Sequence, residues 1–245
     1  MSQIFYNCKK LNNIIFSEFK NTLTNTMNHI FYYCSSLISL DLSRFFTPNV
    51  FIMWDMFEVA SSLTSLNLST FVTSQVIFMD SMFEGCQSLI SLDISNFNTP
   101  NVGSMQNMFS NCSKLEYLNF RNIKTKSGIY MDQMFYQCKS LKYLNLFSLT
   151  EGDNTINMFD GAANNFIYCI ESPSNSPNII SVLKELNVRN NYSDKCFNGG
   201  EYSILEKRCC EDYIYNFSCV SKCPEGTYLS GKIRKDLYCF QEQYL

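Results

Sequence analysis

The sequence contains one histidine, and this scarcity restricts the chemistry that the chain can perform. A Ser-His-Asp or Cys-His arrangement would have to use His29, because no second imidazole exists. No Gly-rich phosphate loop, zinc-protease helix motif or calcium-binding loop occurs in the 245 residues. We find no catalytic constellation, and we expect a protein that is not an enzyme and that uses no cofactor or metal.

Long apolar runs and a strong charge bias are also lacking. No stretch of about 18 apolar residues occurs, so we expect no membrane span within this chain. The net charge of −3 gives no electrostatic reason to expect nucleic acid or an anionic membrane as a partner. The first residues lack the features of a signal peptide and lie already in register with the repeat described next. We therefore expect a fragment, or a misplaced start, of a longer surface protein.

What the sequence does contain is an internal repeat of 26 residues. Apolar residues recur at this interval in several columns, with polar residues between them. The best-kept columns are Met27, Met53, Met79, Met105 and Met131; Phe31, Phe57, Phe83, Phe109 and Phe135; Leu37, Leu63, Leu89, Leu115 and Leu141; and Leu40, Leu66, Leu92, Leu118 and Leu144. Such self-similarity predicts a solenoid, in which each unit buries its apolar face against its neighbours.

Each unit divides into two segments with different periodicity. The stretch SLISLDLS at 36–43 alternates apolar and polar residues and predicts a short strand with one buried face. The stretch TPNVFIMWDMF at 47–57 predicts a helix, with Thr47 as N-cap and Pro48 at the first helical position. In the equivalent stretch 99–109, Val102, Met105 and Phe109 fall on one helical stripe.

The combined element LxxLDLSxFxTxxVxxMxxMFxxC resembles the BspA-like leucine-rich repeat of bacterial and protist surface proteins. This resemblance implies an α/β solenoid with parallel strands on its concave face, short helices on its convex face and a small disulfide-rich C-terminal segment. We expect a degenerate repeat at 1–26, five repeats at 27–158, a C-terminal cap at 159–195 and a Cys-rich segment at 196–245. The spacing fails after Phe135, which predicts the end of the regular stack, and the stretch 177–187 predicts a capping helix.

The cysteines of the repeats occupy one column, Cys8, Cys34, Cys86, Cys112 and Cys138, with Ala60 in the second full unit. Exchange of cysteine for alanine indicates a site that needs a small apolar side chain, so we expect core packing rather than thiol chemistry or metal binding. His29 lies in a column of polar residues, where we expect a solvent-facing helix position.

The strand residues between the buried leucines predict the binding face. In the later units this face changes from small polar residues to tyrosine, which interfaces favour because it offers large amphipathic area. We expect a ligand patch centred on Tyr117 and Tyr143. Its other predicted members are Asn119, Asn145, Ser91, Asp93, Arg121 and Lys142.

The last 77 residues hold seven of the twelve cysteines. We expect disulfides among them, although zinc binding by thiolates is an alternative. These residues are Cys169, Cys196, Cys209, Cys210, Cys219, Cys223 and Cys239. The segment from Cys219 to Tyr228 resembles the small Cys-rich modules of receptor-like and protist surface proteins.

The sequence thus favours a non-catalytic recognition or adhesion module, extracellular or at the cell surface, that binds a protein or glycan ligand. Glycosylation sequons fit this location and occur at Asn67, Asn111, Asn191 and Asn216. The alternative is an intracellular interaction scaffold whose C-terminal cysteines are reduced or bind zinc. Counting titratable thiols in the unreduced protein separates the two.

Overall fold

In a computed structural model the chain divides into two compact units, Met1–Arg189 and Asn190–Leu245. In the first unit the structure describes residues 1–16, 23–120, 122–125, 128–146, 149, 154–164, 166–169 and 177–185. At Ile167, Cys169 and Glu185, and in the strands of the second unit, it describes the backbone alone. We call each repeating unit of the first part a coil.

Each coil after the first contributes one short strand, and these strands pair in parallel within two sheets. Their bounds are β1 Ser39–Asp41, β2 Ser65–Asn67, β3 Ser91–Leu92, β4 Tyr117–Asn119, β5 Tyr143–Asn145 and β6 Ile167–Cys169. β1 pairs with β2, and β3, β4, β5 and β6 follow one another in a second sheet. The register joins equivalent residues of the repeat, as in Leu40 opposite Leu66. Alternation within the strand buries Leu40 and exposes its two neighbours, as the sequence predicts.

The predicted helices on the opposite side of the coil are wrong. Residues 47–57 and 99–109 form turns and isolated parallel bridges such as Ile52 with Phe78. In a helix each N–H would bond to the carbonyl four residues earlier. Here the N–H groups of Phe57 and Val59 donate instead to the next coil, to the carbonyls of Met82 at 2.9 Å and Glu84 at 2.7 Å. We call this part of each coil, 53–60 and its equivalents, the turn segment.

The backbone of the turn segment is left-handed at every fourth residue. In one coil φ is 54° at Asp55 and 55° at Val59, and the same pair of positions recurs from the first coil to the last. Positive φ interrupts helical geometry and aims alternate N–H groups along the stack. Isoleucine or valine resists this conformation because of its branched Cβ, whereas Gly and Asn accept it.

Threonine binds the next coil rather than capping a helix. The Thr47 hydroxyl donates to the carbonyl of Val72 at 2.9 Å, and its oxygen accepts the N–H of Val72 at 2.7 Å. Thr73 makes the same two bonds to Asn98. Both threonines are buried, so these bonds satisfy hydroxyl groups that would otherwise destabilise the core.

A ladder of phenylalanine rings runs through the core of the stack. Neighbouring rings lie nearly parallel, with centroids 5.2–5.9 Å apart. The ladder comprises Phe5, Phe31, Phe57, Phe83, Phe109, Phe135 and Phe159. From Phe31 to Phe159 every ring is fully buried, as are the methionines of the first column, Met27 to Met131. The core therefore follows the columns that the sequence predicts.

The predicted packing role of the cysteine column is confirmed for four of its five members, whereas Cys8 in the first coil is only half-buried against the core. Cys34, Cys86, Cys112 and Cys138 are free, completely buried thiols, and Ala60 is equally buried. The sequence did not predict that each thiol also donates to a phenylalanine carbonyl of the preceding coil, as Cys86 does to Phe57 at 3.3 Å. Burial raises the pKa of the Cys86 thiol to about 12. These thiols are thus inert at neutral pH.

The regular stack does not end where the spacing fails. Phe159 stacks on Phe135 with centroids 5.2 Å apart, and β6 pairs in parallel with β5. A shortened coil therefore follows the five predicted repeats. The predicted helix is present as α1, Pro177–Glu185, and it buries Ile179 and Leu183 in the same core. Proline at its first position suits a residue whose N–H has no helical partner.

The second unit contains short strands whose side chains lie outside the described residues. Their bounds are β7 Tyr202–Ser203, β8 Arg208–Cys209, β9 Tyr213–Tyr215, β10 Ser218–Val220, β11 Thr227–Ser230 and β12 Leu237–Gln241. β7 pairs with β8, and the other four form a sheet in the order β10-β9-β12-β11, in which β12 and β9 are parallel and the other pairs antiparallel.

Replacing Val59 by glycine should stabilise the protein. Val59 is β-branched at φ 55°, whereas Gly85 and Gly161 occupy the equivalent position. We expect Val59→Gly to raise the free energy of unfolding by about 0.5–1 kcal/mol, measured by urea denaturation.

The matched control is Gly85→Val, which introduces the same strain one coil later. A Cβ at Gly85 would meet Val59 at an ordinary 3.5 Å, so the expected loss of about 1–2 kcal/mol comes from the backbone. Opposite signs for the two variants are required; destabilisation by both would contradict the left-handed turn segment.

Candidate functional site

The strand face presents a row of polar side chains that are exposed in the coils of β1 to β3 and less exposed further along. Ser39 and Asp41 on β1, and the residues equivalent to them on β2 and in the coil of β3, are exposed. The later pair Tyr117 and Asn119 on β4 is half-buried. Leucines between these residues point into the core, so the backbone of the row is held from beneath.

Two members of the predicted patch are not available on this face. Tyr143 is 5% exposed and Asn145 is 4% exposed, so neither presents its side chain to a ligand. The sequence spacing predicted that the regular stack ends with the coil of β5. Instead the further coil of β6 packs beside β5, and Ile167 lies opposite Tyr143 in the parallel register. Arg121 lies outside the described residues.

Lys142 and Tyr117, also predicted for the patch, are brought together by a carboxylate. Lys142 Nζ lies 2.7 Å from Glu116 Oε2 in the preceding coil and 5.7 Å from the centroid of the Tyr117 ring. The hydrogen bond to Glu116 raises the pKa of Lys142. An exposed ion pair of this kind contributes little to stability. It does engage Lys142, the cation nearest to Tyr117 among the described residues, with Glu116.

The acidic and amide residues of the strand face also have a local role. Oδ1 of Asp41 accepts the N–H of Ser43 at 2.9 Å, and Asn67 and Asp93 accept the equivalent N–H at 3.1 and 2.9 Å. This Asx turn ends each strand and starts the next bend. The Asp/Asn column of the repeat is therefore explained by folding, although one carboxylate oxygen of each Asp remains for other contacts.

A cleft opens at the first strands of this face, and the sequence did not predict it. Its volume is about 570 Å³. Strand residues Ser39, Asp41, Ser65 and Asn67 line one part, together with Leu40 and Arg44, and the rest is lined by 13–16 of the first coil, including Ile15 and Phe16. The signal that could have found it is Arg44, the one arginine in a column that otherwise reads Thr70, Asn96 and Asn122 among the described residues.

His29 lies in a turn segment and not on a helix. Its φ is 57°, and its Nε2 is 3.1 Å from Asp55 Oδ2. Burial, reinforced by the Asp55 carboxylate beside it, raises the pKa of Glu58 to about 8, so at neutral pH Glu58 holds a proton. Burial also raises the pKa of Asp55, whereas its hydrogen bond from Glu58 and the nearby His29 oppose this rise.

Within the described part of the chain, no group of three or more His, Cys, Asp or Glu side chains is arranged to hold a metal ion. No described helix is long and apolar enough to cross a bilayer.

The disulfide and glycosylation predictions remain predictions. Cys169, Cys209, Cys219 and Cys239 lie in strands whose backbone alone is described, and Cys196, Cys210 and Cys223 lie outside the described residues. Asn191 and Asn216 are also outside them. Asn67 is exposed on β2, whereas Asn111 is half-buried in a turn segment at φ 61°.

The described geometry defines a class of protein built from repeated coils with mostly parallel strands. Comparison with known families identifies the family to which the chain belongs. A family profile described as Mycoplasma protein of unknown function, DUF285, matches residues 1–76 and again 63–168, which is more than half of the chain. The chain belongs to this family. Searches of curated proteins and of solved structures return no match.

Glu58 should make the stability of the protein depend on pH. Folding raises its pKa from the ordinary 4.5 to about 8, so the folded state binds the proton more tightly. The contribution of this group is therefore fully present below about pH 4.5 and is lost as pH rises through about 8. Glu58→Gln should abolish this loss and exceed wild-type stability at pH 9 by about 1 kcal/mol, allowing for solvent screening.

Denaturation curves at pH 5 and pH 9 measure the effect. Asp160→Asn, an exposed site in the last coil, is the control and should leave the difference between the two pH values as it is in the wild type. A wild-type protein equally stable at both pH values would show that Glu58 is not held in this environment.

Proposed function

We propose that the chain is a non-catalytic recognition or adhesion module, extracellular or at the cell surface, which binds a protein or glycan ligand. In this proposal the stack of coils is a leucine-rich-repeat solenoid of the BspA-like type, and its strand face is the concave binding surface. A fold of this kind specifies a shape and not a partner, so the proposal rests on the surface itself.

The observation that carries the proposal is the row of exposed polar side chains on β1 to β3, held above a fully buried core. Ser65 and Ser91 point away from the core in adjacent coils, and their backbones are fixed by the parallel register on one side and the phenylalanine ladder beneath. Binding costs less when the contacting groups are already ordered. A repeated, rigid and polar face fits recognition of an extended ligand.

The extracellular location is supported by the C-terminal segment, whose cysteine content matches a disulfide scaffold. It also agrees with the inert thiols of Cys34, Cys86, Cys112 and Cys138, which would survive an oxidising environment without forming disulfides because all four are buried in the core.

Charge substitutions on the strand face test the proposal. The full chain would be assayed for binding to a panel of immobilised extracellular-matrix proteins and to a glycan array. The double variant Ser65→Glu/Ser91→Glu places two carboxylates on the face and should weaken binding at least about tenfold.

The matched control carries the same charge change in the same two coils but away from the face. Gln75 and Gln87 are exposed and lie outside the strands, so Gln75→Glu/Gln87→Glu should bind as the wild type does. Equal losses in both double variants would remove the strand face from the proposal. A wild-type chain that binds nothing on either panel would overturn the recognition function.

A further inference from the structure

Arg44 departs from the structural role of its column. In the following coils the equivalent residue binds the coil before it: Thr70 Oγ1 donates to the carbonyl of Phe45 at 2.6 Å, and Asn96 Nδ2 donates to that of Phe71 at 2.9 Å. Asn122 Nδ2 likewise donates to Ser95 at 2.6 Å. Arg44 makes no hydrogen bond or ion pair with any described residue, and it is exposed. The Arg44 guanidinium is therefore available to a ligand. The bonds made by Thr70, Asn96 and Asn122 need only a small polar side chain at this position.

The same guanidinium lines the cleft at the start of the strand face. A volume of about 570 Å³ is in the range of pockets that hold small organic ligands. Arg44 is the only cationic side chain that lines it among the described residues, and Asp41 is the only anionic one. Ile15 is 85% exposed and, with Phe16, gives the cleft an apolar side.

The polar lining groups other than Arg44 have short side chains that can donate or accept hydrogen bonds. The hydroxyls of Ser39 and Ser65 have no side-chain partner within the described residues. Asn67 uses Oδ1 for the N–H of Ser69, which leaves its Nδ2 donors for a ligand. Asp41 uses Oδ1 for Ser43 and keeps its second carboxylate oxygen as an acceptor. This set matches a ligand rich in hydroxyl groups.

We propose that this cleft binds an acidic saccharide, with its carboxylate on Arg44, its hydroxyls on Asp41, Asn67 and the two serines, and the apolar face of its ring against Ile15 and Phe16. Arginine pairs with a carboxylate through two parallel hydrogen bonds, which a neutral sugar cannot supply. The inference rests on the proposed function and adds a ligand class to it.

An acidic peptide fits the cleft less well than a saccharide. Several carboxylates would meet a single cation, together with Asp41 beside it and Asp93 further along the same face. A sugar ring with one carboxylate matches the single arginine and offers its hydroxyls to the rest. A glycan attached to Asn67 would obstruct this site, so the experiment uses chain produced without glycosylation.

Glucuronic acid and glucose are the probes, because they differ only in the carboxylate. Titration of the full chain by calorimetry, supported by ligand-observed NMR, should show binding of glucuronic acid and binding of glucose that is about tenfold weaker. Arg44→Asn, which restores the residue found at Asn96 and Asn122, should bring glucuronic acid down to the level of glucose. Arg44→Lys should retain part of the preference. Unchanged thermal unfolding of both variants shows that the coil is intact.

Equal affinity for the two sugars, or no effect of Arg44→Asn, would overturn the inference. So would tighter binding of a tetraglutamate peptide than of glucuronic acid, or the absence of binding by every probe. These failures are distinguishable from failure of the recognition function: if the strand-face double variant still loses binding on the matrix-protein panel, the proposed function stands and only the acidic-saccharide site is wrong.

Discussion

The structure depends on hydrogen bonds that leave one coil and end on the next. In the turn segment of 53–60, four alternate N–H groups donate to carbonyls of the following coil, from Met53 to Phe78 through to Val59 to Glu84. Each such bond contributes roughly 1 kcal/mol net, and leaving it unmade in the core would cost more. Because every coil repeats the set, no coil satisfies its own backbone, and stability comes from stacking.

Several other features follow from this constraint. Left-handed residues at every fourth position direct the N–H groups along the stack. The phenylalanine between two such residues therefore stacks on the equivalent ring of the next coil, as Phe57 does on Phe83. Side chains also make hydrogen bonds between coils: the Thr47 hydroxyl donates to the carbonyl of Val72, and the Cys86 thiol donates to the carbonyl of Phe57. The side chains that looked chemically interesting in the sequence are thus components of coil-to-coil bonding.

The apolar columns of the fold could be predicted because burial in a repeat follows the repeat interval. The repeat interval could not distinguish a helix from the turn segment. Met53, Met56 and Phe57 are all buried in the turn segment, so it shows the apolar spacing of a helix without being one. The neglected signal was the recurrence of Asn and Gly, residue types that accept positive φ, at four of the seven positions of one column: Asn7, Gly85, Asn111 and Gly161.

The candidate site was harder to predict than the fold. Tyr143 was expected on the binding face because alternation predicts which side of the strand a residue occupies, but alternation does not reveal that β6 follows β5. The cleft at Arg44 depends on how 13–16 lie beside β1, a tertiary arrangement that a local pattern does not contain. The residue that indicates where a ligand could bind is Arg44, which differs from the residues at the equivalent positions of the other coils.

The most direct test of the account is the detection of the coil-to-coil hydrogen bonds themselves by NMR. The amide nitrogen of Phe83 lies 2.9 Å from the carbonyl oxygen of Met108. We expect a scalar coupling across this bond, between the nitrogen of Phe83 and the carbonyl carbon of Met108, and equivalent couplings in the neighbouring coils. A coupling from Phe83 to the carbonyl carbon of Met79, four residues earlier, would show a helix and contradict the account.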